Sequence, residues 1–324
     1  MKEFVKPNVV ISKCIEFEKC RYEGSIVNNT LVKRLKEYFV FYPLCPEVEV
    51  GLTVPRETLR LILDEKANTR LVFSKSGEDI TQRMETYAKD KAIELSQMSI
   101  DGFLLKSKSP SCGVKDIKVY KSYGKAPLVP KKAKGVFAEI IGDYFNGLPI
   151  EDEGRLTNHD IREHFYTQLY THSAFRKLKE SPSMKKLVKF QSVNKYLFMA
   201  YNQSQLKNLG RLVANHQDRP LEEIMLNYEV TLRKLISTPP KPMKFVNVML
   251  HIFGYFSNEL SSKEKAYFLD LLEQYSKNQI PQSTIMAILK SWVVRFENEY
   301  LMEQSIFEPF PNDLIDLTDS GKRK

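Results

Sequence analysis

No apolar run in this sequence approaches the roughly 20 residues that a helix needs to cross a bilayer, which excludes a helical membrane protein. The start, Met1-Lys-Glu-Phe-Val-Lys-Pro7, lacks the apolar stretch of a signal peptide, so the chain is expected in the cytoplasm. Cysteine is scarce: four in 324 residues, with no C-x-x-C spacing of the kind a structural zinc site wants. In the cytoplasm structural disulfides are rare, and cysteines more often serve metals or catalysis. All four, Cys14, Cys20, Cys45 and Cys112, lie in the first half. What the sequence has in surplus is positive charge, +9 overall, which suits a polyanionic partner and by itself is weak evidence for one.

From about residue 7 to 147 short β-rich runs alternate with helical ones. Strands are expected over residues 9–12, 40–44, 59–63, 70–73, 102–106 and 117–120, and helices over 31–38, 79–97 and 135–145. That alternation predicts an α/β domain with a largely parallel sheet over residues 1–150. The stretch Gly102-Phe-Leu-Leu-Lys-Ser-Lys-Ser-Pro-Ser-Cys-Gly113 organises it. Pro110 cannot donate to a sheet ladder and Gly113 tolerates positive φ, so the chain leaves the strand there and Cys112 sits at a strand end. Cys14 and Cys45 follow two other strand-like runs. In open α/β sheets ligands bind beyond the carboxyl ends of the strands, so three cysteines are placed to meet at one point.

Each cysteine taken singly reads as a small buried hydrophobe. Four of them, all in loops, argue otherwise. Widely spaced thiolates suit an iron–sulfur cluster held from separate loops, and three ligands would leave one iron open as a Lewis acid.

Ser12-Lys-Cys14, Cys45-Pro-Glu47, Gly51-Leu-Thr-Val-Pro-Arg56 and Ser109-Pro-Ser-Cys-Gly113 together resemble the signature of the thiouracil desulfidase family, over about residues 7–150. The resemblance implies a [4Fe-4S] cluster on Cys14, Cys45 and Cys112 whose fourth iron takes the sulfur of a thiolated pyrimidine. It also implies catalytic roles for Glu47 and for a serine of the last motif, Ser109 in preference to Ser111. Glu47 stands two residues from a ligand cysteine, where it can take a proton from attacking water; a solvated or capping acid is the plain alternative. For Cys20 a fourth ligand, a persulfide carrier and a buried spectator all stay open, with spectator the default. Arg21 and Arg56 are phosphate clamps or partners of Glu16, Glu18 or Glu49.

An acidic, turn-rich junction covers residues 151–160, with Thr157 or Asn158 able to cap a helix. Beyond it helices are expected over 185–201, 204–214, 220–235, 242–260, 262–275 and 283–300, with Ser261 opening a capping box, which makes residues 161–312 an all-α bundle. Residues 313–324 read as a frayed tail. Positive charge gathers at Arg176, Lys177, Lys179, Lys185, Lys186, Lys189 and Lys195, opposed only by Glu180, with Phe175, Phe190 and Tyr196 interleaved. Such a patch can neutralise phosphates and offer rings to bases; a solvated helix face over a core is the alternative. Lys131, Lys132 and Lys134 are placed to extend it.

Lys195-Tyr-Leu-Phe-Met-Ala200, Leu209-Gly-Arg-Leu-Val213, His251-Ile-Phe-Gly-Tyr-Phe256 and Ser261-Ser-Lys-Glu-Lys265 are similar to the helical domain often fused after such desulfidases in tRNA 4-thiouridine desulfidases. That domain is taken to hold tRNA. The chain departs from it at Gln191, Asn194 and Tyr201, where histidines are usual, and His251 reads as a core residue. The expectation is a non-redox [4Fe-4S] enzyme removing sulfur from 4-thiouridine in tRNA, with no membrane or protein partner called for. Its rivals are a desulfidase of free thiouracil and an RNA-binding regulator with a structural or sensory cluster.

Overall fold

The structure, a computed structural model, describes residues 3–214 and 219–316. The chain divides into two compact units, one running to Arg176 and joined by Ile315 and Asp316, the other Lys177–Leu314. The first unit alternates strands and helices: β1 (Asn8–Ser12), α1 (Thr30–Leu35), β2 (Val40–Leu44), α2 (Pro46–Glu49), β3 (Leu59–Leu63), β4 (Thr69–Phe73), α3 (Thr81–Ser96), β5 (Gly102–Leu105), β6 (Ile117–Tyr120), β7 (Leu128–Ala133), α4 (Val136–Tyr144), β8 (Ile150–Asp152) and α5 (His159–Lys179).

Two four-stranded sheets result. The first, in the order β2-β1-β5-β8, is parallel throughout, as the alternation of elements predicts. The second, β4-β3-β6-β7, is mixed: β3 pairs antiparallel with β4 and parallel with β6, and β6 pairs antiparallel with β7. Sequence patterning misses β7 because Leu128-Val-Pro-Lys-Lys-Ala133 does not alternate apolar with polar and carries Pro130, which an exposed edge strand tolerates. One core serves both sheets. Val10, Phe103 and Leu105 from the first and Leu61, Leu71 and Val119 from the second pack with Met84, Ala88 and Ala92 of α3 and Phe137 and Ile141 of α4.

The division falls later than the acidic junction at residues 151–160 because α5 packs on the first unit. Asn158, not Thr157, caps it, its Oδ1 accepting from Ile161 N–H at 3.0 Å. Tyr166 and Tyr170 meet Phe39 with ring centroids 5.9 and 6.1 Å apart. Arg176 donates to the buried carboxylate of Asp101 at 3.0 Å and to Lys6 O at 2.9 Å.

The second unit is helical among the described residues: α6 (Met184–Val193), α7 (Lys195–Tyr201), α8 (Gln203–Ala214), α9 (Leu221–Ile236), α10 (Pro242–Phe253), α11 (Ser262–Ser276), α12 (Gln282–Arg295) and α13 (Glu299–Met302). Phe198, Tyr228, Leu232, Ile252, Phe268, Leu289 and Trp292 form its buried interior. The helix expected over 185–201 is broken at Asn194, whose side chain donates to Phe190 O and accepts from Ser305 Oγ. The helix expected over 283–300 stops at Arg295, since Glu297 takes positive φ and Asn298 caps α13. The capping box at Ser261 and Glu264 forms as the sequence suggests. Of the tail at 313–324, Asn312–Leu314 make a 3-10 turn, and residues 317–324 lie outside the described residues.

A candidate thiol site at the carboxyl edge of the parallel sheet

Strand β1 lies between β2 and β5 and runs parallel to both, so the chain leaves all three at one edge. Cys14 follows β1, Cys45 follows β2 as the residue capping α2, and Cys112 lies in the turn after β5. Pro46 opens α2 because it needs no N–H at the first helical position, and this sets Glu47 in the first turn beside Cys45. The turn carrying Cys112 is tightly built. Ser109 Oγ accepts the backbone N–H groups of Ser111 and Cys112 at 3.2 and 3.1 Å. Gly135 presses against it so closely that a Cβ there would lie 2.4 Å from Ser111 O.

The four thiols are all free and buried. Cys20, whose role the sequence leaves open, joins the site: its thiol is hydrogen-bonded to Cys14 and Cys45, and the Cys14 contact, ahead of burial, pushes its pKa up to about 11. Cys45 is raised well above the ordinary thiol range, first by its hydrogen bond with Cys20 and then by burial. Burial raises Cys112 as well, and the nearby Glu47 carboxylate adds to it, against hydrogen bonds with Ser12 and Ser109. The neutral thiol is thus favoured at Cys20, Cys45 and Cys112.

Glu47 is held on both oxygens. Oε2 accepts from Arg56 Nε at 3.0 Å and Nη2 at 2.6 Å, and Oε1 accepts from Ser111 Oγ at 2.9 Å. The pair is buried, with 4% of the Arg56 side chain and 14% of Glu47 exposed. Arg56 also donates to Cys20 O at 3.1 Å and Thr53 O at 3.3 Å, tying the loops after β1 and β2 together. The sequence leaves Arg56 open between a phosphate clamp and a partner for Glu16, Glu18 or Glu49; the structure gives it to Glu47. Ser111, fully buried, touches Glu47, whereas Ser109 shapes the turn. Arg21 pairs with Glu23 at 3.0 Å.

Soft thiols at one sheet edge are the right donors for an iron–sulfur cluster, and four of them in buried loops exceed what packing requires. Among the described residues no three side chains stand in a metal-binding arrangement. The donor set fits the cluster in chemistry, and a thiol ligates as the thiolate, so ligation releases its proton.

The helical unit places the expected nucleic-acid residues differently. Arg176 is engaged by Asp101. Lys177 pairs with Glu180, Lys179 with Glu229, and Lys189 with Glu303, and Lys186 donates to Ser181. Lys185 and Lys195 are exposed, the latter 5.4 Å from the Tyr196 ring centroid, while Phe175, Phe190 and Tyr196 face the interior. Gln191 accepts from the buried Tyr228 hydroxyl, and Asn194 and Tyr201 are buried, so all three non-histidine positions do structural work. His251, expected in the core, is exposed at the end of α10.

An α/β unit with a thiol cluster and a held carboxylate at its strand ends is an enzyme-like site. Residues 9–153 match the family described as 2-thiouracil desulfurase, and residues 195–311 match a family described as a protein of unknown function (DUF1722). The chain belongs to the 2-thiouracil desulfurase family through its first unit. It is 32% identical over 110 residues to the uncharacterized protein YbbK of Bacillus subtilis (strain 168), spanning 32% of this chain and 72% of that protein. It is 29% identical over 136 residues to the uncharacterized protein YbgA of Escherichia coli (strain K12), spanning 42% of this chain and 80% of that protein. A solved structure of the [4Fe-4S]-dependent thiouracil desulfidase TudS aligns at 23% identity and a TM-score of 0.38, over 47% of this chain and 93% of that one. Among the described residues no helix is long and apolar enough to cross a membrane.

Proposed function

We propose that this protein is a desulfidase that removes sulfur from 4-thiouridine in tRNA, leaving uridine and releasing hydrosulfide. The observation that carries the reading is the Glu47–Ser111 pair set among buried thiols in a chain of the 2-thiouracil desulfurase family. Exchange of C=S for C=O consumes one water and releases one hydrosulfide and one proton, with no net oxidation. A [4Fe-4S] cluster on Cys14, Cys45 and Cys112 would supply Lewis-acid chemistry at the thiocarbonyl sulfur.

The remaining steps belong to the chain's own groups. Ser111 donates to Glu47, so the lone pairs of its hydroxyl oxygen are free to take a proton from water as its own proton passes to Glu47. Arg56 fixes the carboxylate with two N–H bonds that converge on Oε2, which keeps Oε1 of Glu47 aimed at Ser111. The proton gathered by Glu47 returns to the departing sulfur. The neutral thiol of Cys20 lies beside Cys14 and Cys45.

A second reading, turnover of free thiouracil, is favoured by the ion pairs that neutralise much of the basic stretch around residues 176–195. Anaerobically reconstituted protein is tested on bulk tRNA and on free 2-thiouracil, with nucleoside mass spectrometry as the readout. Loss of 4-thiouridine with gain of uridine is the expected result. Turnover of the free base with tRNA untouched selects the second reading, and a loaded protein that desulfurates neither overturns both.

A further inference from the structure

The hairpin of β6 and β7 carries more positive charge than the fold pairs. Residues 115–134 hold seven lysines and one acid, Asp116. Ile117 and Val119 point into the core while Lys118 faces solvent. In the register of the hairpin Lys118 stands directly opposite Lys132. Like charges directly opposite in an antiparallel pair are destabilising. Asp116, 3.2 Å from Lys132, is the acid that ion pairing among the described residues sets against them. An external anion would relieve the repulsion that the fold leaves in place.

The connecting turn, Lys121-Ser-Tyr-Gly-Lys125, adds an aromatic ring between two exposed lysines. Tyr123 is 51% exposed. Its other side rests on Gly77: a Cβ built there would lie 2.7, 2.8 and 2.9 Å from ring atoms Cδ1, Cγ and Cε1. Distances so nearly equal put that point over the ring face, so the ring is seated on backbone and presents its free side outward. The turn is pinned in place. Gly124 N–H donates to Ser74 O at 2.7 Å, and Gly124 O accepts from Arg60 Nη1 at 2.8 Å. At its base the hairpin joins the turn bearing Cys112, with Gly135 N–H donating to Gly113 O at 2.7 Å and Val136 N–H to Pro110 O at 3.1 Å.

We propose that this hairpin is the RNA-holding surface of the desulfidase unit. Lys118, Lys121 and Lys125 neutralise backbone phosphates, and Tyr123 stacks an unpaired base, the combination by which single-stranded segments are held. The inference rests on the tRNA reading above and assigns the grip to the unit that carries the thiols.

The test uses the full chain and measures binding of bulk tRNA by fluorescence anisotropy between 50 and 300 mM salt. The triple variant Lys118→Ala, Lys121→Ala, Lys125→Ala is expected to bind about tenfold or more weakly at low salt. Its log–log salt slope should be shallower by about two, since each phosphate contact contributes ~0.7–0.9. Tyr123→Ala should weaken binding about fivefold or more without changing the slope, and Tyr123→Phe should restore it. A far-UV spectrum and iron content equal to wild type show that the variants keep their fold. Wild-type affinity and slope in the triple variant overturn the hairpin assignment and leave the tRNA reading standing. Wild-type protein that does not bind tRNA overturns both. Binding to anionic phospholipid vesicles that the triple substitution abolishes, with tRNA binding unaffected, overturns the proposal in favour of a membrane surface.

Discussion

Arg56 closes on Glu47 with two hydrogen bonds to a single carboxylate oxygen, from Nε at 3.0 Å and Nη2 at 2.6 Å, and leaves the other oxygen to Ser111. A buried carboxylate held this way keeps one orientation. Removing one partner of a buried ion pair costs about 3–5 kcal/mol, because the other charge stays behind unpaired. Arg56→Ala is therefore expected to lower kcat about 10²-fold or more. Lysine keeps the charge and loses the fork, so Arg56→Lys should recover only part of the rate. Added guanidinium should rescue Arg56→Ala and not wild type, a response that a merely structural arginine would not give.

Ser111 and Ser109 should separate cleanly. Ser111→Ala removes the hydroxyl bonded to Glu47, and a loss of about 10²-fold in kcat is expected with iron content kept. Ser109→Ala removes the acceptor for two N–H groups of the Cys112 turn, so thermal stability and iron retention should fall, at about 1 kcal/mol per lost hydrogen bond. If Ser109→Ala lowers kcat with iron content and stability unchanged, the roles are reversed.

Cys20 contacts two of the three proposed cluster ligands without being one of them. Serine at Cys14, Cys45 or Cys112 should each lower the iron bound after anaerobic reconstitution. Cys20→Ser should bind iron like wild type and change the cluster's reduction potential, since hydrogen bonds to cluster sulfurs tune it. Iron lost from Cys20→Ser and retained in one of the other three would move the ligand set.

In the helical unit, burial pushes the Glu229 carboxyl up, but hydrogen bonds and charge from Lys179 and Arg233 outweigh it and hold the pKa below the ordinary carboxylate value. A depressed folded-state pKa contributes stability that is present above the unfolded value of 4.5 and is lost as pH falls through the folded one. Thermal unfolding followed from pH 7 to pH 3 should show falling stability at the acid end. Glu229→Gln should flatten that slope and cost stability at pH 7. An identical slope in the variant would show that the carboxylate contributes nothing to it.

Local chemistry along the chain was enough to place the thiols at strand ends. The apolar run Phe103 to Leu105, then Pro110 and Gly113, has few other ways to fold. Cys14 and Cys45 follow β-rich runs, and Glu47 lies two residues from one of them, so the α/β class and the thiol-bearing loops were readable in order. The helical unit was readable from its 3.6-residue spacing and its capping box at Ser261.

Tertiary structure alone decided which side chains meet. Arg56 and Glu47 are nine residues apart across a turn, Ser111 and Glu47 are 64 apart, and no local pattern encodes either contact. The same holds for Cys20, which sequence position could only bring near Cys14, and for lysines 177, 179 and 189, whose partners at Glu180, Glu229 and Glu303 are mostly distant in sequence. The facing lysines at 118 and 132 exist only once β6 and an unpredicted edge strand find their register. Periodicity records which face of an element is buried, whereas pairing across loops is set by how those elements stack, and that information is not local to any stretch of chain.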